Sequence, residues 1–153
     1  MVKEYIIEER MKTVIIKSGS LTLRELLRFS TKEYGDYFKE NPNRIKFVLK
    51  VVLSDWMASE PVAAKTRKAV KNLLPLTLGD KELSFFRPDN GSKLYRGGLI
   101  SKNKPISFSY SKKVAKGFGK PMYLTVNPKL KAIDLDKVFG KGQSENEVIV
   151  IIK

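Results

Sequence analysis

Residues 93–118 read KLYRGGLISKNKPISFSYSKKVAKGF, and the fold that the sequence predicts depends on this stretch. Its opening residues favour a β-strand, and the Gly-Gly pair that follows them favours a turn. Residues 106–109 alternate apolar and polar side chains, which is typical of a second short strand. Ser111 then suits the N-cap of a helix whose apolar positions include Phe118. The stretch therefore predicts two strands followed by a helix.

The sequence beyond this stretch keeps the same character. Residues 121–126 alternate as a strand does, residues 132–135 predict another strand, and residues 147–152 form a β-rich terminal run. The Gly-Lys-Gly sequence at 140–142 marks a loop. Residues 92–153 are therefore predicted to form a mixed, β-rich part of the protein.

The sequence before the stretch is predicted to be helical. Residues 22–25 have the form of a capping box, and apolar residues follow at helical spacing as far as Phe38. The Asn-Pro-Asn at 41–43 breaks that helix, and residues 45–56 then carry an apolar stripe at i, i+3, i+4 and i+7. Residues 59–61 suit the cap and first turn of a third helix.

The expected fold class is therefore α+β. A helical part, residues 1–75, is predicted to pack on the β-rich part, residues 92–153, with the boundary at about 76–92. Because neither half is large enough to bury a sizeable core alone, we expect residues 1–153 to form a single domain with one shared core.

Composition excludes several kinds of chemistry. The chain has 153 residues, of which 42% are hydrophobic and 30% charged, so it can bury a core and is not globally disordered. It contains no Cys and no His, which excludes disulfides, Cys/His zinc sites, thiol nucleophiles and imidazole bases. Any catalysis must use carboxylates, hydroxyls, Lys, Arg, Tyr or the backbone. Neither a GxGxxG nor a GxxxxGK[ST] motif is present, so a Rossmann or P-loop site is not expected.

The charge indicates anionic partners. Thirty Lys and Arg against 16 Asp and Glu give a formal charge of +14, which attracts nucleic acid, nucleotides or acidic protein faces. The first 17 residues mix charged and apolar side chains without the apolar run of a signal peptide. The longest apolar runs have four or five residues, so no membrane span is expected. These features favour a cytoplasmic protein, in the producing cell or in a host cell.

Arg96 is the first candidate functional residue. It stands at a predicted strand end beside Gly97 and Gly98. With no bulky neighbours on the backbone, such an arginine can hold a phosphate through two parallel hydrogen bonds. The alternative is a solvated arginine next to a turn.

Two further patterns place polar groups on strands. Ser107 and Ser109 would lie on one side of their strand, where their hydroxyls could hold a carboxylate, with Phe108 on the other side. Glu145 and Glu147 can face one side at the start of the last strand, where partial desolvation would let a carboxylate stabilise developing positive charge. The alternatives are a polar edge strand and a pair of solvated glutamates.

The order and spacing of the three patterns resembles the R-S-E class of mono-ADP-ribosyltransferases. In that family an aromatic-Arg-Gly strand comes first, a Ser-Thr-Ser strand and an Ala-x-x-Phe helix follow, and a Glu-x-Glu turn precedes an apolar strand. The matching stretches are residues 94–97, 107–118 and 143–150, with Phe108 where the family has Thr. The resemblance covers about residues 92–153 and is greatest to phage-encoded or bacterial effector members.

The resemblance implies an NAD-dependent enzyme built on two small sheets around an NAD cleft. Such an enzyme breaks the bond between nicotinamide and ribose and passes ADP-ribose to a side chain of a target protein. NAD is consumed as a substrate, and no metal is required. A Glu-x-Glu rather than Gln-x-Glu motif implies transfer to arginine.

The resemblance also assigns roles to residues. Arg96 would grip the NAD phosphates, and Gly97 and Gly98 would let the backbone approach the nicotinamide amide. Ser107 would orient the catalytic carboxylate and the ribose, and Ser109 would shape the strand. These are expectations about cofactor binding, and none of the residues is expected to bind a metal.

The two glutamates complete the implied site. Glu147 would hydrogen-bond the ribose hydroxyl and stabilise the cation, and Glu145 would orient and deprotonate the acceptor. The basic surface would dock an acidic target or one bound to nucleic acid, such as ribosomal or transcription machinery. A non-catalytic basic module that binds nucleic acid, and a degenerate transferase that only binds NAD or a partner, are the alternatives.

Overall fold

The computed structural model describes residues 13–16, 19–58, 61–140 and 146–153. The chain divides into two compact units, Met1–Leu73 and Leu74–Lys153. This division falls just before the range 76–92 in which the sequence places a boundary.

The described part of the first unit begins with a β-hairpin. Strand β1 (Thr13–Ile16) pairs antiparallel with β2 (Gly19–Thr22), so that Thr13 lies opposite Thr22. The part that the sequence predicts to be mainly helical, residues 1–75, therefore also contains a pair of strands that the sequence analysis does not predict. Every residue of β1 is β-branched, which favours a strand, but a run of four is too short to show alternation in the sequence.

Two capped helices follow the hairpin where the sequence predicts one. Helix α1 (Leu23–Leu26) has the predicted capping box between Thr22 and Glu25, and α2 (Thr31–Glu40) has a second one, in which the Glu33 amide donates to Ser30 Oγ over 3.0 Å. This second capping box starts a new helix, and the prediction of one continuous helix up to Phe38 is wrong.

The core of the first unit is centred on α3 (Ile45–Ala58), which follows a 3-10 turn at Pro42–Arg44. The predicted apolar stripe is confirmed, because its members are all buried: Ile45, Val48, Leu49, Val52, Leu53 and Trp56. Helix α4 (Ala64–Leu73) begins later than residues 59–61, of which 59 and 60 lie outside the described residues. A hydrogen bond from Thr66 Oγ1 to Asp55 Oδ2 joins α4 to α3.

The second unit begins with two short helices that the sequence does not predict, α5 (Leu76–Gly79) and α6 (Lys81–Ser84). Its remaining elements are β3 (Lys93–Gly97), β4 (Pro105–Ser109), α7 (Lys112–Lys116), β5 (Pro121–Thr125), β6 (Lys131–Asp134), α8 (Leu135–Phe139) and β7 (Glu147–Ile151). The strands form one antiparallel sheet in the order β5-β3-β4-β7-β6. The protein is thus a mixed α+β structure with a five-stranded antiparallel sheet.

The sheet is almost divided between β3 and β4, its second and third strands. β4 pairs with β7 along five residues, whereas β3 and β4 share a single pair, Tyr95 opposite Ser109. The expectation of two small sheets therefore differs from the structure, because this one pair joins β5-β3 to β4-β7-β6. Beyond Tyr95 the ladder with β4 ends, and this is the end of β3 that carries Arg96.

One face of the sheet is covered by a hydrophobic core. Its buried members are Leu94, Ile106, Phe108, Val126, Ala132, Val148 and Val150. Phe108 is thus a core residue on the opposite face from Ser107 and Ser109, as the strand alternation predicts.

Two helix boundaries differ from the predicted ones. α7 ends at Lys116, and Phe118 lies beyond it with 71% of its surface exposed, so Phe118 is not an apolar position of that helix. Leu135, predicted in a strand, begins α8, because the Asp134 carboxylate caps that helix by accepting from the Asp136 amide over 2.9 Å.

Asp134 also holds a tyrosine. Its Oδ2 accepts a hydrogen bond of 2.7 Å from the Tyr110 hydroxyl. Burial, followed by this bond and the negative charge of Asp134, raises the pKa of Tyr110 well above its ordinary value. Tyr110 therefore stays a neutral donor that anchors the loop between β4 and α7.

Arg87 fixes the turn between β5 and β6. Its Nη2 donates to the carbonyls of Asn127, over 2.8 Å, and Leu130, over 3.0 Å. Arg87→Lys keeps the charge but loses this fork, so we expect the free energy of unfolding to fall by about 1–2 kcal/mol in denaturant titration. The matched control is Arg67→Lys on the exposed face of α4. Equal losses of stability in the two variants would mean that the hydrogen bonds of the Arg87 guanidinium to the carbonyls of Asn127 and Leu130 do not stabilise the turn.

Candidate functional site

The guanidinium of Arg96 bridges the point where β3 and β4 separate. Its Nε donates to the carbonyl of Leu99 and its Nη1 to the carbonyl of Ser107, each over 2.7 Å. The side chain is half-buried, and this burial lowers the pKa of the guanidinium from its ordinary value. Because arginine titrates so far above neutrality, Arg96 remains a cation in this position.

Ser107 connects Arg96 to a carboxylate. Its carbonyl accepts from Arg96, and its hydroxyl donates to Glu147 Oε2. The strand register explains this second contact. Ser109 lies opposite Glu147 and Ser107 opposite Ile149, so Ser107 and Glu147 are diagonal neighbours on one face of the sheet.

Three of the predicted site residues therefore meet. Arg96, Ser107 and Glu147 come from three adjacent strands, β3, β4 and β7, and each is half-buried. The cluster places a cation, a hydroxyl and a carboxylate side by side at the divided part of the sheet. Such a set can bind a phosphate and stabilise positive charge on a neighbouring group.

Ser109 lies nearby, but its hydroxyl makes a different contact. It is buried, and its Oγ accepts a hydrogen bond of 3.0 Å from the Ser111 amide. Ser111 in turn caps α7 by accepting from the Val114 amide over 3.2 Å. Ser109 thus joins the end of β4 to the start of α7. The strand-shaping role that the family resemblance implies for Ser109 stays a prediction.

Gly97 and Gly98 lie against the end of α7. A Cβ on Gly97 would be 2.0 Å from the carbonyl oxygen of Ala115, and one on Gly98 would be 3.4 Å from that of Phe118. Gly98 also has a φ of +94°, which side chains rarely adopt. Close packing against the end of α7 therefore accounts for Gly97 and the positive φ accounts for Gly98, whereas contact of either glycine with nicotinamide stays a prediction.

Glu145, the remaining predicted site residue, lies outside the described residues. The next residue, Asn146, has a φ of +56° and its carbonyl accepts from the Tyr110 amide over 3.2 Å. This left-handed turn directs the chain into β7 immediately before Glu147. Asn146 is not among the predicted site residues, although asparagine is one of the few residues that adopt this conformation readily.

Leu99 is a second residue of the site that no sequence pattern predicts. Its carbonyl orients the Arg96 guanidinium, while its side chain is 87% exposed. A backbone acceptor leaves no sequence signal, because every residue type carries a carbonyl.

The comparisons with known proteins identify no family for this chain. No protein-family model, no curated protein and no solved structure matches this chain. Over residues 13–16, 19–58, 61–140 and 146–153, no group of three or more Asp or Glu could hold a metal ion. Within the same ranges, no helix is both long enough and apolar enough to cross a membrane.

Proposed function

We propose that this protein is an NAD-dependent mono-ADP-ribosyltransferase that modifies arginine side chains of a target protein. The observation that supports this proposal is the hydrogen-bonded chain from Arg96 through Ser107 to Glu147. The proposed chemistry needs a phosphate anchor, a positioned carboxylate and a hydroxyl between them, and it needs neither imidazole nor metal.

Arg96 would anchor the NAD pyrophosphate. Two of its N–H groups are used by the carbonyls of Leu99 and Ser107, which fixes the plane of the guanidinium. Its other N–H groups would donate to phosphate oxygens in the bidentate geometry that arginine favours. Because the cation is already oriented, binding costs less side-chain entropy.

Glu147 would stabilise the transition state. As the bond between the ribose C1′ and the nicotinamide nitrogen breaks, the electron pair leaves with nicotinamide and positive charge develops on the ribose. A half-buried carboxylate held by Ser107 acts on that charge more strongly than a solvated one. A guanidine nitrogen of the acceptor then forms the new bond to C1′ and gives up a proton, for which Glu145 would be the base.

Ser107 is proposed as a positioning residue. Ser107→Ala removes the hydroxyl that holds Glu147, so we expect nicotinamide release from NAD to slow by about tenfold. Ser107→Thr keeps a hydroxyl and should recover most of that rate. If the threonine variant is as slow as the alanine variant, the hydroxyl does not position Glu147.

Glu145 is proposed to act in the transfer of ADP-ribose to the acceptor but not in the hydrolysis of NAD. A variant of Glu145 therefore tests whether arginine is the acceptor. With NAD labelled in the adenylate and agmatine as a free guanidine, the wild type should release nicotinamide and label agmatine. Glu145→Gln should lose labelling by about a hundredfold or more but keep part of the nicotinamide release. Transfer to agmatine at the wild-type rate in this variant would refute arginine as the acceptor.

A further inference from the structure

The positive charge of the chain is concentrated in one segment of the second unit. Residues 91–133 contain no Asp or Glu and ten basic residues. These residues are Lys93, Arg96, Lys102, Lys104, Lys112, Lys113, Lys116, Lys120, Lys129 and Lys131. The segment thus holds a third of the chain's 30 cations and none of its 16 anions.

The lysines of this segment are directed to solvent. All except Lys131 are exposed, and within the described ranges none forms an ion pair with an acid. The salt bridges there join Lys32 to Asp36 and Lys137 to Asp89, which lie outside the segment. These lysines therefore create a positive potential, and no acidic side chain of the described residues neutralises it through an ion pair.

Exposed rings lie among these lysines. The side chain of Tyr123 is 62% exposed and that of Phe118 is 71% exposed. Large aromatic side chains such as these are more often buried in a core. The Tyr123 ring lies 6.2 Å from that of Tyr95 on the paired strand β3, and Lys93 Nζ lies 5.1 Å from its centre. Phe118 lies near the end of the same strand, because its carbonyl approaches Gly98, the residue that follows β3.

These residues form one continuous surface, because α7 and β5 both pack on β3. We call it the lysine–aromatic face and define it by seven residues. They are Lys93, Tyr95, Lys112, Lys113, Lys116, Phe118 and Tyr123.

We infer that the lysine–aromatic face binds single-stranded nucleic acid. Lysines neutralise backbone phosphates, and exposed aromatic rings stack on unpaired bases without requiring a sequence. Protein–protein interfaces are depleted in lysine, so an acidic protein is a poorer match to a face with this many. A duplex would contact the lysines but would leave the rings without a partner, because its bases are already stacked.

This inference does not rest on NAD chemistry, and its test measures binding alone. Full-length protein is titrated into a fluorescent oligothymidylate of about 20 nucleotides, and anisotropy is followed at several salt concentrations. We expect affinity to fall steeply with salt and to exceed the affinity for a duplex of equal length.

The lysines are tested by removing three of them together. We expect Lys112→Gln/Lys113→Gln/Lys116→Gln to weaken binding by about tenfold or more and to reduce the salt slope by about 2. The control, Lys65→Gln/Lys68→Gln/Lys71→Gln, removes the same charge from exposed positions of α4. Equal losses in the two triple variants would overturn the inference, because attraction would then follow net charge alone.

The ring of Tyr123 distinguishes stacking from charge and from apolar docking. Tyr123→Leu keeps apolar bulk but removes the stacking plane, so we expect about tenfold weaker binding of the oligothymidylate and unchanged binding of the duplex. Three results would each overturn the inference: no effect of Tyr123→Leu on binding of the oligothymidylate, tighter binding of the duplex than of the oligothymidylate, or an equal loss of binding to a polyglutamate peptide, which has no bases to stack.

Discussion

Glu147→Gln should slow nicotinamide release from NAD by about 10²–10³ while the protein remains folded. The amide keeps the size of the side chain and can still accept a hydrogen bond from Ser107 Oγ. It lacks the negative charge that would stabilise the oxocarbenium-like ribose. Since the contact survives and the charge does not, the loss should fall on kcat rather than on NAD binding.

The matched control for this prediction is Glu40→Gln at the end of α2, where the carboxylate is exposed. It makes the same chemical change away from the cluster and should leave the rate unchanged. Thermal unfolding of both variants checks that the fold is intact. A Glu147→Gln variant that releases nicotinamide at the wild-type rate would remove Glu147 from the chemistry.

Gly97→Ala should lower the free energy of unfolding by about 2–4 kcal/mol. The new Cβ would be placed 2.0 Å from the Ala115 carbonyl oxygen and 3.0 Å from the Gly119 amide nitrogen. Both are backbone atoms, so no side chain can rotate to make room. Either β3 or the end of α7 must move, and Arg96 is adjacent to the residue that moves.

Gly79→Ala provides the comparison, because a Cβ there would meet nothing within 4 Å. As the last residue of α5, Gly79 should tolerate alanine or gain slightly from it. Denaturant titration of both variants measures the difference. Unchanged stability of Gly97→Ala would show that α7 does not pack against β3 as closely as described.

The parts of the fold that the sequence predicted are those set by periodicity along one segment. The stripe on α3 and the alternation that buries Phe108 while leaving Ser107 on the other face both follow from the spacing of side chains. The short helices α5, α6 and α8 have no such period. Each has at most five residues, and α6 and α8 depend on one capping carboxylate, Asp80 and Asp134 respectively.

Strand order and register could not be predicted, because they depend on pairing between distant segments. That β4 lies between β3 and β7, and that it shares only Tyr95–Ser109 with β3, has no local signal. These two features bring Arg96 to Ser107 and Ser107 to Glu147. The family resemblance indicated which three side chains would meet, but not the carbonyls of Leu99 and Ser107 that orient the arginine.

The central claim, that Arg96, Ser107 and Glu147 form an NAD-cleaving site, is tested most directly on the unaltered protein. NAD labelled in the nicotinamide and, separately, in the adenylate is incubated with the protein and a cell lysate. Nicotinamide should be released catalytically, and adenylate label should appear on protein only when the enzyme is present. NAD that stays intact, with neither label moving, would contradict the claim.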